Sequence, residues 1–164
     1  DDVIWIFLPA LRKTRRVMST EKTKNFMGSE FTYADITPPP VDDFKYKILK
    51  TETIDGTKCW VIENLPKSSR IAKENGFSKR ISWVGQKDFV MRKVVYYNFR
   101  NEVNKVLLSS NIKEVDTQKH RYRPLKMVMT NKQTKRSSVL IVNRIRLRTK
   151  IPNKYFTIRF LERF

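Results

Sequence analysis

The sequence is poor in the residue types that mark most enzymes and metal proteins. It holds one cysteine, Cys59, and one histidine, His120, in 164 residues. A single thiol excludes an internal disulfide and leaves the redox compartment unspecified. No Cys/His cluster has zinc spacing. Lys119 and Arg121 flank His120, and their charge opposes a protonated imidazole, so this residue reads as surface rather than catalytic base. Cys59 stands beside Trp60 in a strand-like run and reads as a small packed side chain rather than a nucleophile. Only 4 glycines are present, and none belongs to a phosphate-binding loop. Asp42 and Asp43 are adjacent, which in an extended segment sends them to opposite faces and spoils them as an acid/base pair. This inventory predicts no catalysis, no cofactor and no metal.

Long apolar runs are also missing. The longest, Val3 to Leu8, is far too short for a membrane-spanning helix, and no signal peptide is present. The chain opens on Asp1-Asp2 and runs straight into a strand-like stretch, so it reads as a mature or trimmed fragment in which a missing leader says nothing of location.

Acidic residues are the third deficit. Lys+Arg 35 against Asp+Glu 16 gives a formal charge of +19, which implies long-range attraction to polyanions: nucleic acid, anionic lipid head groups or lipopolysaccharide. The charge is spread over the whole chain, from "RKTRR" (12–16) through "KHRYRPLK" (119–126) to "RIRLRTK" (144–150). Any one of these clusters reads as a solvated strand face or loop.

What is present is a 40% apolar content, enough for one core and one domain over 1–164. In "KYKILKTETIDGTKCWVIENLP" two β-rich runs flank Asp55-Gly56, a pair suited to a tight hairpin, which predicts strands near 45–54 and 57–65. The pattern repeats in "RISWVGQKDFVMRKVVYY", with a turn over Gly85 to Asp88, and in "LKMVMTNKQTKRSSVLIVNRIRLR", with a polar loop from Asn131 to Arg136. From 139 onward alternation puts Val139, Ile141, Asn143, Ile145 and Leu147 on one face, and Leu140, Val142, Arg144, Arg146 and Arg148 on the other, apolar against increasingly basic. The sum is a mainly β fold with short helices: an antiparallel meander that curls into a barrel or half-barrel.

Two stretches interrupt it. "GSEFTYADI" (28–36) starts a short helix at Ser29, and Thr37-Pro38-Pro39-Pro40 stops it. "PKSSRIAKENGFSKR" (66–80) reads as a long polar connection. Trp5, Phe7, Trp60, Trp83, Tyr96, Met127 and Met129 lie in strand-like runs, where they either fill a closed core or line a cavity in an incomplete barrel. Methionine suits the second role, because its thioether adapts to variable chains.

"VIWIFLPALRKTRRV" followed by "KNFMGSEFTYADI" resembles the paired signature of the LolA-like outer-membrane lipoprotein-sorting family. The similarity continues more weakly through "DGTKCWVIENLPK", "WVGQKDFVMRKVVYYN", "MVMTNKQTKRSS" and "FTIRFLER", so nearly the whole chain is covered. The resemblance implies a periplasmic, non-enzymatic carrier: an unclosed antiparallel half-barrel whose short lid helix covers an apolar cavity for lipoprotein acyl chains or another lipid. It also implies that the chain lacks the family's amino-terminal helix and first strands. Under this reading Phe26, Met27, Phe31 and Tyr33 join the strand aromatics and methionines and Ile141 as cavity and lid candidates. Arg144, Arg146 and Arg148 then dock on an anionic membrane surface, with a membrane exporter as a further partner. Two other readings share the charge: a basic β-barrel that binds nucleic acid, and a module that binds protein partners through its sheet. The absence of an RNP-like motif and the scattered charge speak against nucleic acid.

Overall fold

The apolar run near the amino terminus pairs with the basic run that follows it. In a computed structural model, which describes residues 3–37 and 40–163, Ile4–Leu8 (β1) and Lys13–Val17 (β2) form a two-stranded antiparallel sheet. A 3-10 turn over Pro9–Leu11 joins them, with Pro9 at its first position, where a missing N–H costs nothing.

Seven further strands form one antiparallel sheet in strict chain order: Phe44–Ile54 (β3), Thr57–Pro66 (β4), Lys79–Gly85 (β5), Met91–Tyr97 (β6), Val103–Asp116 (β7), Arg121–Asn131 (β8) and Ser137–Ile141 (β9). The two ends of the sheet do not pair with each other, so it stays unclosed. The β3–β4 turn uses Asp55 and Gly56 at φ 47° and 73°, the positive pair that a two-residue hairpin demands. Between β7 and β8 the ladder is interrupted: Asn111 sits at φ 51°, and Pro124, paired with Ile112, brings no N–H.

Among the described residues there are three short α-helices, Tyr33–Ile36 (α1), Ser69–Asn75 (α2) and Ile158–Leu161 (α3), the last lying against β1. Helix α1 begins later than the sequence predicts. Ser29 does not cap it; the Ser29 hydroxyl donates instead to Phe26 O at 2.6 Å. Thr32 is the cap, accepting from Asp35 N while the Asp35 carboxylate accepts from Thr32 N at 2.8 Å, a reciprocal pair that satisfies both ends of the first turn. Of the expected proline stop, Pro38 and Pro39 lie outside the described residues. The stretch 66–80, expected as plain connection, contains α2, capped by Ser68 and ended by Gly76 at φ 76°.

The largest buried cluster lies on one face of the seven-stranded sheet, the inner face, while Cys59 and Val61 are buried on the other. Phe31, Phe44, Ile71, Phe77, Val94, Tyr96 and Met129 form one buried cluster, with Leu107, Met127 and Leu140 packed against it. Phe44 stacks on Phe77 at 5.9 Å, and Phe77 meets Tyr96 edge-on at 5.6 Å. No helix among the described residues is long and apolar enough to cross a membrane.

The chain after β9 departs from expectation. Alternation predicted a strand continuing through Arg148, but pairing stops at Ile141, after which Val142 N donates to Leu125 O at 2.9 Å and residues 142–148 run as an irregular strap. Register decides the faces: Met127 pairs with Leu140, so Leu140 turns inward and its neighbours Val139 and Ile141 are left exposed.

Candidate functional site

A cavity of about 560 Å³ opens on the inner face beside the closed core. That volume falls within the range of small-molecule sites, about 300–1,000 Å³. Its floor is Val94 and Tyr96 on β6, Leu107 and Ser109 on β7, and Met127 on β8. Ala34 to Thr37, the last residues of α1 and its cap, form one side; Val142, Ile145 and Leu147 of the strap form another. Phe89 and Val90 contribute from the β5–β6 turn, and Val115, Tyr122 and Pro124 from the β7–β8 hairpin. The walls are chiefly apolar, which suits a hydrocarbon ligand.

Ion pairs hold the walls in place, one in the β5–β6 turn, one at the strap and one at α1. In the β5–β6 turn, Arg92 donates to both oxygens of Asp88 at 2.9 and 2.5 Å, and Val90 N donates to the same carboxylate. Both side chains are nearly buried, and the Arg92 hydrogen bond holds the Asp88 carboxyl below its ordinary range despite burial. The pair lies directly against Gly85, where a Cβ would collide with the guanidinium and the carboxylate. The second pair fastens the strap: Arg148 Nη2 donates to Asp116 Oδ1 at 2.7 Å. Burial pushes the Asp116 carboxyl up, but hydrogen bonds from Arg148 and from the N–H groups of Lys119 and Gln118 outweigh it and leave the carboxyl below its usual value.

One edge of the cavity is polar. Cross-strand pairing aligns Asn64, Arg80, Tyr96, Lys105 and Asn131 in a row across β4 to β8. Lys105 Nζ donates to Asp35 Oδ2 at 2.8 Å, and Asn131 Nδ2 donates to Glu30 Oε2 at 3.1 Å, which ties the segment around α1 to the sheet. Burial raises the Tyr96 phenol far above its ordinary value, with Asp35 adding and Arg80 opposing, so the hydroxyl stays neutral. Arg80 forms no ion pair among the described residues, and its Nε is sealed without a hydrogen-bond partner.

The residues singled out in the sequence are scattered relative to this cavity. Tyr96 and Met127 line it. Phe31 and Met129 belong to the closed core, and Tyr33 is buried edge-on against Phe26 at 5.6 Å. The part of "GSEFTYADI" that borders the cavity is therefore Ala34 to Ile36, not the two aromatics before it. Trp5 and Phe7 sit in the separate β1–β2 sheet, paired with Arg16 and Thr14. Met27, at φ 50°, is turned out to solvent. Trp60 is outside the lining, its ring centroid 6.0 Å from that of Phe89. Trp83 faces away: its indole N–H donates to Glu52 Oε2 at 2.6 Å, and Lys93 lies over its ring. Ile141 is exposed and outside the lining. Arg144 and Arg146 are exposed beside the strap's apolar residues, whereas Arg148 is engaged with Asp116 and is not a free docking cation.

The pattern missed Val94, Leu107, Phe89, Ile145 and Leu147, which carried ordinary core or turn signals, and Arg80, which carried none. Among the described residues no group of three or more His, Cys, Asp or Glu side chains is placed to hold a metal ion. Burial keeps the Cys59 thiol above its usual value, and His120 is exposed with Nδ1 2.9 Å from Glu114.

Comparison with known proteins places this geometry in a group. A family model described as "Uncharacterized protein" matches residues 1–163. No curated protein matches the sequence. A Vibrio parahaemolyticus domain named for outer membrane lipoprotein sorting is 29% identical, with a TM-score of 0.88 over 99% of this chain and 67% of that one. A DUF1329 family protein from Desulfovibrio piger is 25% identical, with a TM-score of 0.88 over 98% of this chain and 65% of that one. A LolA superfamily protein from Nitrosomonas europaea is 22% identical and superimposes at 0.70, covering 97% of this chain and 68% of that one, a likeness that bears on fold alone. The chain spans about two thirds of the length of these structures.

Proposed function

Because the chain belongs to the family described as "Uncharacterized protein", whose model spans residues 1–163, and has the LolA-like fold, we propose that it is a periplasmic, non-enzymatic carrier. It holds the acyl chain of a lipoprotein or another lipid for sorting toward the outer membrane. The observation that carries this reading is the apolar cavity of about 560 Å³ on the inner face of an unclosed sheet, bordered by a short helix and a strap. About ten buried methylenes, at ~0.8 kcal/mol each, contribute ~8 kcal/mol before ordering costs, enough for useful affinity without covalent chemistry. The +19 charge supplies attraction to anionic membrane surfaces, worth up to about 1 kcal/mol for each well-placed Lys or Arg.

The test is a fluorescence titration of delipidated protein with a fluorescent fatty acid, together with mass spectrometry of organic extracts of protein purified natively. Saturable binding of one probe per chain, and a lipid in the extract, support the carrier. A titration that never saturates, with an extract free of lipid, overturns it.

A further inference from the structure

We infer that the cavity takes a single-chain amphiphile with a small oxyanion head group, carboxylate or phosphate, seated on Arg80. The inference rests on the carrier reading and adds to it the chemistry of the ligand's head.

The argument starts from an unbalanced charge. Arg80 lies on the cavity wall where the wall meets the closed core, and its guanidinium carbon stands 5.6 Å from the rings of both Phe44 and Phe77. Aromatic faces attract a cation without neutralising it, and the one side-chain hydrogen-bond partner beside the guanidinium, the neutral Tyr96 hydroxyl, brings no charge to balance it. The one acid on the cavity wall is already engaged: Asp35 Oδ2 accepts from Lys105 Nζ, Thr32 N and Thr32 Oγ1, each at 2.8 Å. Arg80 is thus a half-buried guanidinium with a sealed, unpaired Nε and no ion pair among the described residues. Leaving such a group uncompensated is costly, and the planar guanidinium fork matches carboxylate or phosphate geometry.

Position gives the charge a use. Arg80 and Tyr96 share the polar row at one end of the cavity, and the apolar floor runs from there along β6 to β8 toward Val115 and Tyr122. From Leu107 to Val115, both in the lining, a straight strand would advance up to roughly 26 Å at about 3.3 Å per residue, enough to seat an extended long acyl chain. A cation at one end of an apolar trough is complementary to an amphiphile with an acidic head. Arg123 also lines the cavity, but it is exposed to solvent rather than half-buried.

The experiment compares three ligands of one chain length, myristic acid, myristyl phosphate and myristyl alcohol, on wild-type protein and on Arg80→Met, Arg80→Lys and Arg123→Gln. Wild type is expected to bind at least one of the two acids about tenfold or more tightly than the alcohol, as a charge-assisted bidentate contact would give. The favoured acid identifies the source of the oxyanion. Arg80→Met should bring acids and alcohol together, Arg80→Lys should retain part of the preference, and Arg123→Gln should keep it. Equal wild-type binding of acids and alcohol overturns the inference without any variant and leaves the carrier reading standing. So does a preference that survives Arg80→Met or disappears in Arg123→Gln. Failure of all three ligands to bind wild type overturns the carrier reading, and this inference with it.

Discussion

The inner face of the seven-stranded sheet has two halves, one packed solid and the other hollow. In the solid half, Phe44, Phe77 and Phe31 fill the space over the sheet and α2 contributes Ile71. In the hollow half the floor is the flank of the same cluster, Val94 with Leu107 and Met127, but four residues ending in Thr37 and an irregular strap border it without filling the space. Hydrophobicity alone therefore does not separate core from site. What separates them is whether regular, capped elements bring large side chains down onto the sheet.

The contrast breaks most visibly at Phe44. Phe44→Ala leaves a void in the closed half and should cost about 3–5 kcal/mol in urea denaturation. Gly85→Ala is next: its Cβ displaces the Asp88–Arg92 pair, and a stability loss of about 1–3 kcal/mol is expected by the same measurement. Met127→Ala sharpens the comparison, because one side of Met127 faces the cavity rather than packed atoms. Its stability loss should fall near ~2 kcal/mol, at the bottom of the range for buried methionine, while affinity for a fluorescent fatty acid drops.

The strap gives a smaller effect that depends on pH. Since pairing holds the Asp116 carboxyl below its ordinary value, its contribution is complete above the unfolded pKa, about 3.9, and is lost as pH falls through the lower folded value. The methyl resonances of Leu147 should therefore stay put from neutral pH down to about 4 and shift below it in wild type. In Asp116→Asn they should already hold the shifted position at neutral pH. The smallest change belongs to Arg144→Gln with Arg146→Gln: stability should stay within about 0.5 kcal/mol, while binding to anionic vesicles weakens at low salt. Unchanged vesicle binding would remove both residues from membrane docking.

Much of the sheet was legible because its turns announce themselves. Asp55-Gly56 predicted the β3–β4 hairpin to within a residue at each end, and Gly85 to Asp88 placed the next turn. The helix caps were harder. Ser29 and Thr32 are both competent caps, and only Thr32 has an acid three residues on, the reciprocal partner that settles the start of α1. Helix α2 carried its own signals in Ser68 and Gly76, masked by a polar composition that resembles loop. The cavity was least legible. Residues 139–142 are apolar on both faces, so alternation cannot decide which side turns inward; pairing with β8 decides it. In β5, alternation sets Arg80 and Ser82 against Ile81 and Trp83, and hydrophobicity favours the wrong pair as the inner face. Trp83 finds its polar partners outside, and Arg80 is turned inward by its pairing with Tyr96.

The interrupted ladder at Asn111 and Pro124 divides the β7–β8 hairpin into two lengths of unequal backbone protection. The inner length is flanked on both sides, by β6 and by β9. The outer length, from Ile112 to Pro124, pairs only with itself across a junction where one donor is missing. Local opening draws on such stretches first, at a free energy well below that of global unfolding. Amide hydrogen exchange should accordingly run in two classes, with the amides of 112–123 exchanging faster than those of 105–110 and 126–130. Because Asp116 and Tyr122 ride on the outer length, the same local opening carries the strap's anchor and one cavity wall together, while the floor at Leu107 and Met127 keeps its protection.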